Sequence, residues 1–382
     1  MKAILLISFI ISFSSVNAQP GKNNSNDQVE VAALKMPKFP IADFPKKSIP
    51  VSGIQIIQML RDSIIVGYAM KGMDNHIVAL VPEKQPTLFF NEAINKMYKS
   101  EFKEAGAQLL WVINDLRIGE KMGINQFSYL RFNADAYISK DMLEYKPVCS
   151  LDTVLMNESG GDQTVWHGED IENAFRLLLK RTFKTCKDVL DQNIAGSSIE
   201  KIKEQSKPRI DLPILTNGAY REGAYADFEE FLQNSPSIIN FRVFSIGREK
   251  KIKIVKVSQN NQTDTVNIWG FCKDGEIYKY NDGSLVSIER GRNGFIISNY
   301  VAQANRRNSG LGLSGFVGLG VMMGGMVGGA VSGLVFGLGT SKNYKGGDPG
   351  PPLLIKSIPY ITKSKKQPEA TCIDMKTGEL SF

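Results

Sequence analysis

The sequence predicts an α+β protein: an N-terminal βββαβββα sandwich, then an antiparallel β-rich module with a glycine-rich apolar segment that reads as helical and membrane-like. Three observations predict it. Two long stretches repeat apolar residues at spacings of three and four, β-branched runs around them are punctuated by glycine turns, and residues 308–341 carry no charge. With 42 % hydrophobic and 22 % charged residues over 382 positions, the chain has the balance of a folded protein and the length of two or three modules.

Residues 1–18 read as a secretory signal peptide: Lys2, an apolar run from Ala3 to Phe13, then Val16-Asn17-Ala18 with small side chains at the cleavage subsites. The expected mature chain starts at Gln19, and its expected location is the periplasm or outer envelope. Residues 19–50 read as a flexible lead spaced by Pro37, Pro40, Pro45 and Pro50.

Residues 51–195 form the first module. Ile54 to Leu60, Ser63 to Met70 and His76 to Val81 have the β-branched content of short strands. Pro86 opens a helix predicted to run to Gly106, with Phe90, Ile94, Met97, Tyr98, Phe102 and Ala105 on one face. Gln108 to Ile118 and Gln126 to Ser139 read as strands. In the second, Leu130, Phe132, Ala134, Ala136 and Ile138 alternate with Tyr129, Arg131, Asn133, Asp135 and Tyr137, so one face is apolar and the other polar. Lys146 to Met156 adds a strand. Gly168 to Gln192 then reads as a long helix with Ile171, Phe175, Leu178, Thr182, Cys186 and Val189 on its stripe, its acids early and its bases late. The expected sheet is mostly antiparallel.

Residues 196–215 read as a linker rich in Ser, Glu and Lys. In the β-rich module, 216–300, a short helix around Tyr225 to Gln233 precedes runs at Phe241 to Ile246, Lys251 to Val257, Thr265 to Cys272, Glu276 to Tyr280, Ser284 to Glu289 and Phe295 to Asn299. Asp274-Gly275, Asp282-Gly283 and Asn293-Gly294 separate the later runs, the pattern of an antiparallel meander.

Here the chain resembles a known group. Gly223 to Ser237 (GAYADFEEFLQNSPS), Trp269 to Tyr278 (WGFCKDGEIY) and Ile373 to Leu380 (IDMKTGEL) together resemble secreted or envelope proteins of Bacteroidota that carry no assigned activity. The likeness covers about a quarter of the chain, and the last of these runs looks like a closing strand-and-turn. The resemblance implies an envelope address and no particular chemistry. The βββαβββα pattern is also similar to small lipoprotein-like envelope modules that assist transport or wall assembly, a likeness of pattern alone.

Within residues 308–341, Gly320, Gly324 and Gly328 form one ridge at spacing four, and Gly325, Gly329, Gly333 and Gly337 a second. In lipid such ridges let helix backbones approach closely, which is the basis for expecting a membrane partner and self-association. In water each glycine costs a helix about 1 kcal/mol relative to alanine. The whole segment as helix would reach about 51 Å against a hydrocarbon core of about 30 Å, so either part of it spans once or a hairpin breaks at Gly324-Gly325. A glycine-rich soluble loop is the competing reading. Residues 342–382 form a basic tail ending in the closing strand.

The sequence lacks the motifs of the familiar chemistries. There is no serine elbow and no phosphate loop, and His76 and His167 lack metal-like companions, so no cofactor and no metal is expected. Both histidines read as surface or capping residues. A charge of +7 spread along the chain, without a basic stripe or aromatic platform, gives no nucleic-acid partner. Trp111, Trp166 and Trp269 read as core or sheet-face aromatics. Cys149 and Cys186 are expected within reach of each other, a candidate disulfide, with free buried thiols as the alternative. The reading that emerges is a non-enzymatic envelope protein acting by assembly or partner binding at a membrane. An exported hydrolase using carboxylates such as Asp135, Asp152 or Glu158 is the alternative.

Overall fold

The computed structural model describes residues 30–59, 65–72, 75–122, 125–159, 163–207, 211–246, 251–257, 263–291, 294–307, 353–355, 358 and 366–382. The signal segment and the seven ridge glycines lie outside these. Among the described residues no helix is long and apolar enough to cross a membrane.

The first module is a seven-stranded sheet with helices. Its strands are β1 (Val31–Leu34), β2 (Val51–Gln58), β3 (Gly67–Lys71), β4 (His76–Pro82), β5 (Ala107–Met122), β6 (Gln126–Ser139) and β7 (Lys146–Ser159), and its helices are α1 (Pro86–Met97) and α2 (His167–Asp191). The order is β1-β4-β3-β5-β6-β7, with β2 also on β5. β5, β6 and β7 form antiparallel ladders as expected, but β1 joins β4, and both β2 and β3 join β5, in parallel. The long β5 therefore accepts two strands end to end along one edge. β1 falls inside the segment expected to be a flexible lead, where its four residues are too few to show a period.

α1 starts where Pro86 fits the first helical position and the Gln85 side chain accepts from Leu88 N. It ends at Met97, nine residues before Gly106; a single 3-10 turn over Lys99–Glu101 follows, because the Tyr98 ring turns into the core. Asn91 and Asn95, one turn apart, cover the free edge of β2. Asn91 exchanges hydrogen bonds with Ile56 N and O at 2.7 Å each, and Asn95 with Ile54 N and O at 3.3 and 2.8 Å. Two amide side chains thus imitate a missing strand and block edge-to-edge pairing.

Every residue assigned to the α2 stripe is buried, as is the apolar face of β6. Phe175 sits at the centre, its ring 5.5–5.8 Å from those of Phe90, Trp111 and Phe132. His167 is a correction: it is 1 % exposed, not a surface residue, with Nε2 2.5 Å from Glu120 Oε1. Met70 N and Gln126 Nε2 satisfy the other Glu120 oxygen, so this buried carboxylate has partners on three elements.

The expected linker contains a helix, α3 (Ile199–Ser206), capped by Ser198 and packed through Ile202 on Leu110, Val112 and Tyr145. Then come α4 (Pro213–Thr216), β8 (Gly223–Tyr225), α5 (Phe228–Leu232), β9 (Phe241–Ile246), β10 (Lys251–Val257), β11 (Thr263–Thr265), β12 (Gly270–Lys273), β13 (Glu276–Asn281), β14 (Ser284–Arg290), β15 (Phe295–Ile297), β16 (Cys372–Ile373) and β17 (Leu380–Ser381). The run expected as one strand from Thr265 to Cys272 divides between two sheets, β11-β10-β9 and β17-β16-β15-β14-β13-β12-β8. Asp274-Gly275 and Asp282-Gly283 take positive φ at both residues, which makes them the tight hairpin turns of the meander. Trp269 lies stacked 4.1 Å from Phe231 and donates from Nε1 to Gly378 O, tying the tail to the module; Trp111 is likewise buried, whereas Trp166 is exposed.

The two modules are not beads on a linker. One core cluster joins Met70, Ile77, Phe127 and Tyr129 of the first to Trp269, Phe295 and Phe382 of the second. Burial of that shared surface holds them together.

Candidate functional site

The β5–β7 sheet has α2 on one face. On the other, α3 covers one end and the second module covers the other, where a Cβ on Gly119 would meet the Phe382 ring at 3.1 Å. Between them a polar strip is left. It owes its existence to a β-bulge: the β5–β6 register passes from Ile113↔Ala134 to Asp115↔Asn133, so Asn114 is an extra residue. Before the bulge the odd positions Leu109, Trp111 and Ile113 face the core; after it the even positions Leu116 and Ile118 do. The shift puts Asp115 and Arg117 on the polar face, beside Arg131 and Asn133 of β6.

These side chains form a charge ladder across three strands. Arg117 donates from Nε and Nη2 to the two Asp115 oxygens at 2.8 and 2.6 Å. Arg131 Nε lies 3.7 Å from Asp115 Oδ2, and its Nη2 donates to Asp152 at 3.1 Å, with Nη1 on the other Asp152 oxygen. At the other end Arg117 Nη1 donates to Cys372 Sγ at 3.0 Å, reaching from the first module to β16. Burial disfavours the Arg117 charge, but Asp115 outweighs it and the pKa lies above the ordinary arginine value. Asn114 Nδ2 bridges Asn133 Oδ1 at 3.2 Å and Asp135 Oδ2 at 2.7 Å.

β15 and β16 close the strip into a cavity of about 380 Å³, within the range of small-molecule sites. Ile296 and Cys372, paired across β15 and β16, line it, and so do Ile65 and Tyr68 on either side of Gly67. Gly67 lets β3 meet β5 here. Its φ is +154°, and a Cβ there would lie 2.0 Å from Ile118 O, so only glycine lets β3 approach β5 beside the cavity.

Of the carboxylates singled out from sequence, Asp152 lines the cavity and Asp135 lies next to it, held by Asn114 and Ser150. Glu158 is six residues beyond Asp152 on β7, about 20 Å away, paired with Lys366. Glu158 stands apart, whereas Asp135, opposite Ser150, and Asp152, opposite Asn133, are diagonal neighbours on one face of the β6–β7 ladder. Cys149 and Cys186 lie on facing elements, β7 and α2, but as free thiols. The first contacts the Thr182 hydroxyl at 3.7 Å and the second that of Ser48 at 3.1 Å. Burial raises the pKa of both, and of Cys272 to about 11. Among the described residues no group of three or more His, Cys, Asp or Glu is placed to hold a metal ion.

Sequence reasoning put Arg131, Asn133 and Asp135 on the non-core face of β6 but missed Asn114, Asp115, Arg117 and Cys372. A signal was present: the apolar alternation of β5 changes phase across Asn114-Asp115.

No family model matches the chain, and no curated protein matches it. Among solved structures it is similar to the crystal structure of protein XCC0632 from Xanthomonas campestris, of family DUF330. The identity is 11 % and the TM-score 0.28, over 42 % of this chain and 98 % of that one. A TM-score this low supports no transfer of fold or function.

Proposed function

We propose that the chain is a non-enzymatic exported envelope protein that binds a small ligand in the cavity between its two modules and is held at a membrane by residues 308–341. One observation carries the binding reading. Every carboxylate lining the cavity is already engaged: Asp115 and Asp152 accept from guanidinium groups, and Asp374 Oδ1 accepts from Lys376 N at 2.7 Å. Carboxylate-pair hydrolysis needs one acid that can give up a proton and one base free to take one, both facing the same bond. Asp152 is engaged by Arg131, Asp135 by Asn114 and Ser150, and Glu158 by Lys366, which favours binding over hydrolysis. The envelope reading is supported by the signal-like residues 1–18, the Bacteroidota resemblance and the charge-free glycine ridges.

The test uses Cys372, half-buried in the cavity wall, as reporter. Iodoacetamide should alkylate it in the whole mature chain, and the low-mass fraction of an envelope extract should slow that reaction. Unchanged alkylation with every such fraction rejects the binding reading. Alkaline carbonate extraction checks the anchor: release of the chain from the envelope pellet rejects the membrane part.

A further inference from the structure

The charges around the cavity cancel. Asp115, Asp152 and Asp374 line it together with Arg117, Arg131 and Lys376, three of each sign. An ion entering this space would lose its hydration against a lining of zero net charge, and that desolvation penalty is large. A neutral polar molecule escapes it.

The wall nevertheless has unspent hydrogen-bonding capacity of both kinds. A guanidinium has five N–H groups. Arg117 uses three of them, on Asp115 and Cys372, so N–H groups remain. Asn133 accepts from Asn114, and its Nδ2 donates to no described residue. Carboxylate oxygens keep lone pairs beyond those the arginines occupy. Hydroxyl groups, each donor and acceptor at once, match such a mixed wall better than a pure donor or a pure acceptor does. The lining also includes half-buried Ile65, Tyr68 and Ile296, apolar surface that suits a C–H face. At a water's share of roughly 30 Å³, the cavity has the space of about a dozen waters, room for one or two sugar rings.

From these features we infer that the cavity binds a neutral saccharide, its hydroxyls on Arg117, Arg131 and Asn133 and its C–H face against Ile296. The inference rests on the cavity being the ligand site proposed above.

Cys372 alkylation separates the two. The probes are methyl glucoside, methyl galactoside and N-acetylglucosamine, against glucuronate and glucosamine as anionic and cationic counterparts of the same ring. At least one neutral sugar should slow alkylation of the whole mature chain and show saturation transfer by NMR. Its charged counterpart should need a concentration about ten-fold higher or more. Asn133→Ala should weaken the protection by about ten-fold, the loss of a hydrogen bond in a desolvated site. If envelope extract protects Cys372 while the neutral sugars do not, or the charged sugars protect as well as the neutral ones, the saccharide inference is overturned and the cavity reading stands. If neither extract nor sugar protects, both fall.

Discussion

Removing the Arg117 guanidinium tests whether the charge ladder holds the cavity together or merely decorates it. Arg117 and Asp115 are 22 and 23 % exposed, between a surface pair, which contributes about 0–1 kcal/mol, and a buried one, whose breaking costs about 3–5 kcal/mol. Arg117→Met takes from Asp115 two short charge-assisted bonds, leaving it Arg131 at 3.7 Å. Discounted for exposure, a loss of about 2–3 kcal/mol is expected. Asp115→Asn leaves Arg117 with a neutral acceptor and should cost less, about 1–2 kcal/mol. The double variant should cost clearly less than the sum, because neither group then faces an unpaired charge; the expected coupling is about 1–2 kcal/mol. Urea unfolding of the four proteins provides the cycle. Additivity within about 0.3 kcal/mol would refute the claim that the pair acts as a unit. A second readout bears on the cavity: Arg117→Met should change the rate at which iodoacetamide reaches Cys372, since Nη1 sits on that sulfur.

Two further outcomes follow from the structure. Gly67→Ala should cost about 2–4 kcal/mol in thermal or urea unfolding, because its Cβ would overlap Ile118 O at a positive φ; a variant as stable as the parent would show that β3 does not need this approach. Asp170 is buried, and desolvation raises its pKa against the lowering from Ser128, His167 and Asn157. Its folded value lies above its unfolded value near 3.9, so it favours folding below about pH 4, and that contribution is lost as pH rises through the folded value. Asp170→Asn should therefore gain on the parent between pH 4 and 7, and a stability difference that does not change over that range would reject the assignment.

Much of the fold was legible because it rests on local periodicity. The α2 stripe and the alternating faces of β6 depend only on which side of an element each residue occupies, and a single buried face enforces that choice. The hairpin turns at Asp274-Gly275 and Asp282-Gly283 depend on two residues that tolerate positive φ. Other features are decided by contacts between distant segments. That β2 and β3 share one edge of β5, that β1 pairs with β4, and that both modules share a core are choices among pairings with similar local patterns. The same holds for His167, whose burial follows from Glu120, 47 residues away, lying opposite it.

The candidate site divides in the same way. The sequence alone determines that Arg131, Asn133 and Asp135 share a polar face, and that Asn114-Asp115 interrupts the rhythm of β5. Only the tertiary structure turns these into a cavity, because the bulge must first rotate Arg117 onto that face and β16, more than 250 residues later in the chain, must then bring Cys372 against it. A charge on a strand is a solvated residue until another segment removes the water, and no local pattern records which segment that will be.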